Sequence, residues 1–324
     1  MIPLELEELK TAAAKVYQHM LPSAQLQWPL LDDRCGCRVL VKHENHNPTG
    51  AFKVRGGLVY AQQLSDEQPG ITGLITATRG NHGQSIAFAA GRHGLNTVIV
   101  VPQGNSPDKN AAMVALGAEL IEYGKDFDEA SAYAQQLAQD RGLLRIPSFD
   151  RALVAGVASY GLELLQARPN LKRVYVPIGL GSGACGLISA RNALGLSTEI
   201  IGVVASGADC YLRSFESGQC VATASADTAA DGLAVRVPNP DALAMMLTHL
   251  ERVVAVDDDE IFAAVGHYFT DTHNIAEGAG GAALAALLKE TEINRGLDVG
   301  VILSGGNISR SLYARALGCT ADFG

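Results

Sequence analysis

The sequence predicts an α/β protein of two domains, each with a central, mostly parallel sheet flanked by helices. Three observations carry this expectation. Strand-length apolar stretches alternate with helical patterns about three times between Gly73 and Arg145, as a parallel sheet with crossover helices requires. A second alternation runs from Ala155 to Leu303. Glycine is abundant, 35 residues in 324, while aromatics make up only 6%, which suits many tight strand-to-helix turns. The first unit is inserted early. The large domain is therefore expected at residues 1–49 and 147–324, and the small domain at 50–146.

Each element has its own signal. Leu4–Met20 places Leu6, Leu9, Ala13, Val16 and Tyr17 at helical spacing. Leu21–Asp33, with Pro22 and Pro29, reads as irregular. Cys37–His43 reads as a strand. An Asn47-Pro48 turn follows, and a helix opens near Lys53 and runs through Val59 and Tyr60. Gly73–Thr78 and Thr97–Val101 are short apolar strands, separated by a helix over Gln84–His93. Lys109–Leu116 is helical and Glu119–Tyr123 a strand. Asp126–Glu129 has the spacing of a capping box, opening a helix to about Asp140. Gly142–Asp150 has loop character. Beyond it come the helix Ala155–Ala167, the strand Arg173–Ile178, the helix Leu187–Leu194 and the strand Glu199–Ala205. Gly207–Arg236 is the least patterned stretch. Asp257–Glu260 predicts a second capping box, opening the helix Ile261–Phe269. Ala279–Lys289 is an Ala-rich helix and Val299–Leu303 a last buried strand.

Composition excludes several classes. The formal net charge of −9 argues against a nucleic-acid or anionic-membrane partner. No apolar run approaches the ~20 residues of a spanning helix. Glu5, Glu7 and Glu8 stand where a signal peptide would be basic and then apolar, so the expected location is cytoplasmic. The six cysteines are too few and too scattered for a disulfide framework. Cys35 and Cys37 lack the spacing of a zinc knuckle. All six are expected as free thiols.

Four stretches carry chemistry. In Asn47–Gly57 (NPTGAFKVRGG) a lysine, Lys53, stands at a helix start. The positive end of a helix dipole favours a neutral amine, and a neutral amine can attack a carbonyl to form a Schiff base. Gly179–Gly186 (GLGSGACG) joins a strand to a helix through four glycines. Such a turn offers backbone amides to an anion, usually a phosphate. Within it Gly181–Gly186 also fits the dinucleotide pattern GxGxxG, with Asp209 roughly where a ribose-binding acid belongs. Thr78–Gln84 (TRGNHGQ) can hold a carboxylate on its amides, and Asn81 offers a donor and an acceptor to a planar ligand. Ser304–Asn307 (SGGN) ends a buried strand, beyond which ligands of parallel sheets lie. An amine, a phosphate cradle, a carboxylate loop and a neutral hydroxyl together match the handles of pyridoxal phosphate plus a substrate seat. A dinucleotide enzyme would leave Lys53 and Ser304 unexplained.

These residues resemble a known family over nearly the whole chain. GAFKVRGG is similar to the SFKxRGA motif of the fold type II pyridoxal-phosphate enzymes, the tryptophan synthase β-like group. TRGNHGQ is similar to their SxGNHxQ motif, GLGSGACG to their phosphate loop and LSGGN to their C-terminal motif. Ala230–Arg236 (ADGLAVR) and Asp271–Leu287 resemble segments of the threonine/serine dehydratases and serine racemase. The resemblance implies pyridoxal 5'-phosphate in the cleft between two domains. It implies Lys53 as Schiff-base lysine and α-proton base, with Phe52 packed nearby. Asn81 would bond the phenolic oxygen, and Gly179, Gly181, Ser182 and Gly183 would seat the phosphate. Ser304 would face the ring nitrogen, where a neutral partner favours prompt elimination over transamination. Thr78, Arg79, Gly80 and His82 would surround the substrate carboxylate, with Glu277 and Gly232 close to the cofactor. A homodimer is also implied.

The implied activity is an ammonia-lyase that eliminates water from a β-hydroxy amino acid, threonine or serine by default, to give a 2-oxo acid and ammonia. Threo-3-hydroxyaspartate, as in the hydroxyectoine-utilisation branch, and 3-phenylserine are the alternatives. Arg79 departs from the family, which has a small residue there. Arginine cannot serve as the acid/base that a serine provides in serine racemase, so racemisation is not expected. It could instead pair with an acidic substrate group. A cation site of some relatives begins with a glutamate where this chain has Val204, so no metal is expected. No regulatory domain is expected beyond Gly324. A dinucleotide-binding oxidoreductase and a non-catalytic cofactor-carrying homologue remain the readings from other classes.

Overall fold

The structure is a computed structural model describing residues 3–318. In chain order, α1 (Leu6–Val16) leads to β1 (Gln25–Gln27), α2 (Pro29–Cys35) and β2 (Arg38–His43). The next unit runs α3 (Lys53–Glu67), β3 (Gly73–Ala77), α4 (Asn81–Gly91), β4 (Asn96–Val101), α5 (Pro107–Ala115), β5 (Glu119–Glu122), α6 (Phe127–Arg141) and β6 (Leu144–Arg145). Then come α7 (Arg151–Ala167), β7 (Arg173–Pro177), α8 (Ser182–Ala193), β8 (Glu199–Ala205), α9 (Cys210–Ser217), α10 (Pro240–His249) and β9 (Arg252–Val256). The chain closes through α11 (Asp258–Thr272), α12 (Gly278–Lys289), α13 (Thr291–Asn294), β10 (Asp298–Leu303) and α14 (Arg310–Ala316).

The strands form two sheets. One has six strands in the order β1-β2-β10-β7-β8-β9, and the other four in the order β5-β4-β3-β6. Every pairing is parallel except that of β1 with β2. Because β10 sits beside β2, the two ends of the chain share the larger sheet. The smaller sheet is formed entirely by the stretch between them.

The cores follow from sequence pattern. Buried on both faces, the parallel strands are near-continuous apolar runs. Val98–Val101 of β4 and Val299–Leu303 of β10 show this, apart from Gly300. Ala-rich α12 fits close against the larger sheet, with Ala282, Ala283 and Ala286 fully buried. On α3, close packing also fixes the lysine. A Cβ on Gly156 of α7 would collide with the carbonyl of Arg55, so only glycine lets α7 approach the helix that begins at Lys53.

Some local expectations fail for identifiable reasons. Leu21–Asp33, expected as irregular, contains β1 and most of α2. Pro29 is tolerated because it falls at the first helical position, where an N–H has no helical partner. β1 is too short, at 3 residues, to register as alternation. Gly142–Asp150 contains the two-residue strand β6. At Asp126 the expected capping box is only half formed. The Asp126 carboxylate accepts from the N–H groups of Asp128 and Glu129, while Glu129 turns to the N–H of Lys125. At Asp257 the box is complete. Cys35, Cys37, Cys185, Cys210 and Cys220 are free thiols, and Cys319 lies outside the described residues. No helix among those residues is long and apolar enough to cross a membrane.

Candidate active site

The site starts from Lys53, the first residue of α3. The segment before it is stitched to the end of β10. Phe52 donates its N–H to the carbonyl of Ser304 at 2.9 Å, and Gly306 donates to the carbonyl of Gly50 at 2.9 Å. Ala51 and Gly305 form an antiparallel bridge between them. Two of the four motifs are thus one short ribbon. Burial of the Lys53 amine lowers its pKa to about 8, and the Glu277 carboxylate opposes that shift. Removal from water, rather than the helix start alone, is the main cause. The ammonium nitrogen lies 4.8 Å from the centre of the Phe52 ring.

The glycine loop lies on the other side of Phe52. Gly181 adopts φ +103 and caps α8 with no side-chain hydrogen bond, so no capping side chain competes for the first amides of that helix. Buried Ser182 and Gly183 open it. The Tyr160 hydroxyl donates to the carbonyl of Gly183 at 2.7 Å, and the Tyr160 ring stands edge-on to Phe52 with centroids 6.2 Å apart. A Cβ on Gly179 would collide with the carbonyl of Gly232, which draws the 231–233 turn against the loop.

The third stretch supplies the start of α4. Thr78 is buried, and its hydroxyl accepts from the N–H of Gly80 at 3.0 Å. α4 also lacks a side-chain cap. Asn81 donates to Glu277 at 2.6 Å and accepts from Asn307 at 2.8 Å. Asn307 also donates to the carbonyl of Thr49. His82 is buried, and burial beside Lys53 lowers its pKa to about 3, so its ring is neutral at pH 7. Its Nε2 has no hydrogen-bond partner among the described residues. Arg79 is exposed. Ser304 is buried.

The structure adds residues the motifs did not single out. Lys109 on α5 pairs with Asp231 at 2.9 Å and reaches Glu277 at 3.9 Å. Tyr160 and Asn307 tie the loops together. Asn307 was legible as the last letter of SGGN; Tyr160 and Lys109 carried no local signal. Asp209, the acid that a dinucleotide reading would use, is held by Arg213 one helical turn on. Among the described residues no group of three or more His, Cys, Asp or Glu could hold a metal ion.

The chain is thus an α/β protein of two mostly parallel sheets, in which the helix headed by Lys53 lies near two helix starts that offer uncapped amides, the kind of feature small anions bind. Comparison with known proteins narrows the class. The family model described as pyridoxal-phosphate dependent enzyme matches residues 16–305. The chain is 34% identical over 312 residues to a biosynthetic L-threonine dehydratase of Pasteurella multocida, covering 95% of this chain and 60% of that protein. It is 36% identical over 277 residues to an L-threonine ammonia-lyase of Geobacter sulfurreducens, covering 85% of this chain and 69% of that protein. The processed threonine deaminase isoform 2 of Solanum lycopersicum superposes with a TM-score of 0.89 at 29% identity, over 98% of this chain and 96% of that one. The chain belongs to the pyridoxal-phosphate dependent enzyme family. It spans about three-fifths of the length of the first curated relatives it matches.

The residues present fit the family's cofactor. Pyridoxal phosphate brings a phosphate, an aldehyde and a polar ring edge. Against these stand the uncapped start of α8, an amine shifted toward neutrality at Lys53, and the Asn81–Asn307 amide pair. Gly179, Gly181 and Gly183 keep the approach to α8 free of side chains.

Proposed function

We propose that the protein is a pyridoxal-phosphate-dependent dehydratase, an ammonia-lyase that removes water from a β-hydroxy amino acid of the threonine or serine type. The products are a 2-oxo acid and ammonia. The observation that carries this reading is the Lys53 amine, moved by burial to about 8 and set between the starts of α4 and α8. The relatives named threonine dehydratase and threonine ammonia-lyase support the substrate class.

Bound cofactor would supply an aldehyde that condenses with an amine and a ring that draws electrons from the neighbouring carbon. The chain supplies the rest. Amides of Ser182 and Gly183 would hold the phosphate, with Gly179 and Gly181 leaving room for it. Asn81 and Ser304 would fix the ring at its phenolic oxygen and nitrogen, with Phe52 packed beside Lys53 and Glu277 and Gly232 close by. Thr78, Gly80 and His82 seat the substrate carboxylate, with amides at the start of α4 as donors. Lys53 Nζ would take the proton from the α-carbon. The β-hydroxyl leaves as water, and hydrolysis of the released unsaturated amine returns a water and frees ammonia. A neutral His82 can accept or donate a hydrogen bond here without adding charge.

A second reading concerns the side chain accepted. Arg79 is exposed at the end of β3 and acts electrostatically on Lys109, so it lies at the approach to the site. This favours threo-3-hydroxyaspartate, whose second carboxylate Arg79 would pair. We further propose the domain division 1–49 plus 147–324 and 50–146, a cytoplasmic location and a homodimer. The separate strand membership of the two sheets supports the division.

The test is a panel of β-hydroxy amino acids scored for ammonia and keto-acid release, together with borohydride trapping of pyridoxal phosphate on Lys53. Release from threonine or serine, lost in Lys53→Ala, is expected. A trapped cofactor without ammonia from any substrate would favour a non-catalytic homologue. Arg79→Ala should harm 3-hydroxyaspartate turnover far more than threonine turnover, and equal losses would remove the second reading.

A further inference from the structure

Lys109 is a buried lysine that the proposed chemistry does not use. It reaches from α5, beside the smaller sheet, to two acids next to the larger sheet. Its ammonium lies 2.9 Å from Asp231 and 3.9 Å from Glu277. Its stem lies along the loop before α4, because a Cβ on Gly80 would stand 2.7 Å from Lys109 Cδ. Glu277 in turn accepts from Asn81 at 2.6 Å, and its N–H donates to the carbonyl of Gly305 at 3.0 Å. One chain of contacts therefore runs from Asp231 through Lys109 and Glu277 to Asn81, with Lys53 within electrostatic reach of its middle.

We propose that Lys109 is a positioning residue that biases Glu277 toward its charged form against Asn81 and beside Lys53, with Asp231 opposing that bias by competing for the same ammonium. The inference rests on the reading of Lys53 as the reactive amine. A buried carboxylate is costly to ionise without a partner. The charged groups facing Glu277 are few. Burial raises its pKa above the usual carboxylate value; against that Lys109 from α5 lowers it, Asp231 from the 231–233 turn raises it further, and Lys53 from α3 lowers it. The Asn81 amide from α4 adds a hydrogen bond that favours the charged form. Arg79 acts only through Lys109, and neutral His82 is influenced by Lys53 without acting on Glu277. Asp231 and Lys109 therefore push Glu277 in opposite directions, and Glu277 passes the difference to Lys53, whose amine it holds more protonated.

That opposition separates this role from a plain clamp. If Lys109 and Asp231 only held the two sides of the cleft together, breaking the pair from either end would have the same effect. If they set the charge on Glu277, the two changes act oppositely. In Lys109→Met the stem stays but the cation goes, Glu277 takes up a proton, and Lys53 loses its anion. In Asp231→Asn the ammonium turns wholly to Glu277, which becomes more firmly charged.

The experiment measures the pH at which Lys53 is half reactive toward formaldehyde and borohydride in the full cofactor-free chain, read on the Lys53 peptide by mass spectrometry. Relative to wild type, Lys109→Met is expected to lower that midpoint by about one unit, the order of effect that losing a neighbouring opposite charge has. Asp231→Asn is expected to raise it, and Lys109→Arg to leave it near wild type. Midpoints that move the same way in Lys109→Met and Asp231→Asn, or that do not move, overturn the proposal. If wild type takes no pyridoxal phosphate onto Lys53, the proposed function fails, while the midpoints still decide the role of Lys109.

Discussion

The Tyr160 hydroxyl of α7 donates to the backbone carbonyl of Gly183 at 2.7 Å, while its ring packs edge-on to Phe52. One side chain thereby ties the glycine loop to the residue before Lys53. Tyr160→Phe keeps the ring contact and removes a second hydrogen bond from a carbonyl that also serves inside α8. Such a loss costs about 0.5–1.5 kcal/mol. The variant should unfold at lower denaturant and hold pyridoxal phosphate several-fold more weakly, measured by urea titration and equilibrium dialysis. Unchanged cofactor affinity would mean that the loop is set without Tyr160.

Gly179 makes a sharper test of the same loop. Any Cβ there runs into the carbonyl of Gly232, a backbone atom that cannot rotate away. Gly179→Ala should displace the 231–233 turn and abolish cofactor retention, with a smaller effect on the melting temperature of the cofactor-free chain. The same substitution at Gly195, where a Cβ meets nothing within 4 Å although φ is +64, provides a control for backbone strain alone.

Two residues past the lysine, Arg55 is fully buried in a four-charge cluster. It donates to Glu44 at 2.7 Å and to Glu163 at 2.6 Å, and Lys42 pairs with Glu163. The two cations and two anions balance. Arg55→Leu leaves two buried carboxylates facing one lysine, and breaking such a cluster from one side costs about 3–5 kcal/mol. Urea unfolding at neutral pH should register that loss. A loss below about 1 kcal/mol would mean that water enters the cluster and the acids are solvated.

Local signals made much of this molecule legible, and their reach marks where legibility stops. The helix at Asp257 was announced by an acid followed by a glutamate three residues on, and the reciprocal bonds formed. Lys53 stood out because its glycines and the Asn-Pro turn lie within a few residues of it. Lys109 stood out for nothing, since Asp231 lies 122 positions away and only the fold brings them together. β9 is apolar but half-buried at an edge of its sheet, and α10 follows a proline-rich stretch that reads as loop. Its cap, Asn239 accepting from Ala242, was present in the sequence and could have been used.

His43 makes the stability of the fold depend on pH. It ends β2, fully buried, and its Nε2 accepts from the Trp28 indole N–H at 3.2 Å, which requires an unprotonated Nε2. Burial first, then His46, lowers its pKa to about 4, with Lys42 opposing protonation and Glu44 and Asn45 favouring it. An unfolded histidine titrates near 6.5. Between these values the unfolded chain binds the proton and the folded chain does not, so stability falls as pH falls. The contribution is complete above about 6.5 and lost through about 4, at up to ~1.4 kcal/mol per pH unit and ~3 kcal/mol in all. His82, lowered to about 3, adds a second proton over the same range. His43→Gln keeps an acceptor for Trp28 and removes one of these protons, while His19, His249 and His267, also lowered by burial, add smaller shares. Unfolding free energies at pH 7.0 and about 5 should therefore differ by about 1–2 kcal/mol less in the variant than in the wild type. An identical difference in both would mean that His43 is protonated in the folded chain, with the Trp28 contact broken.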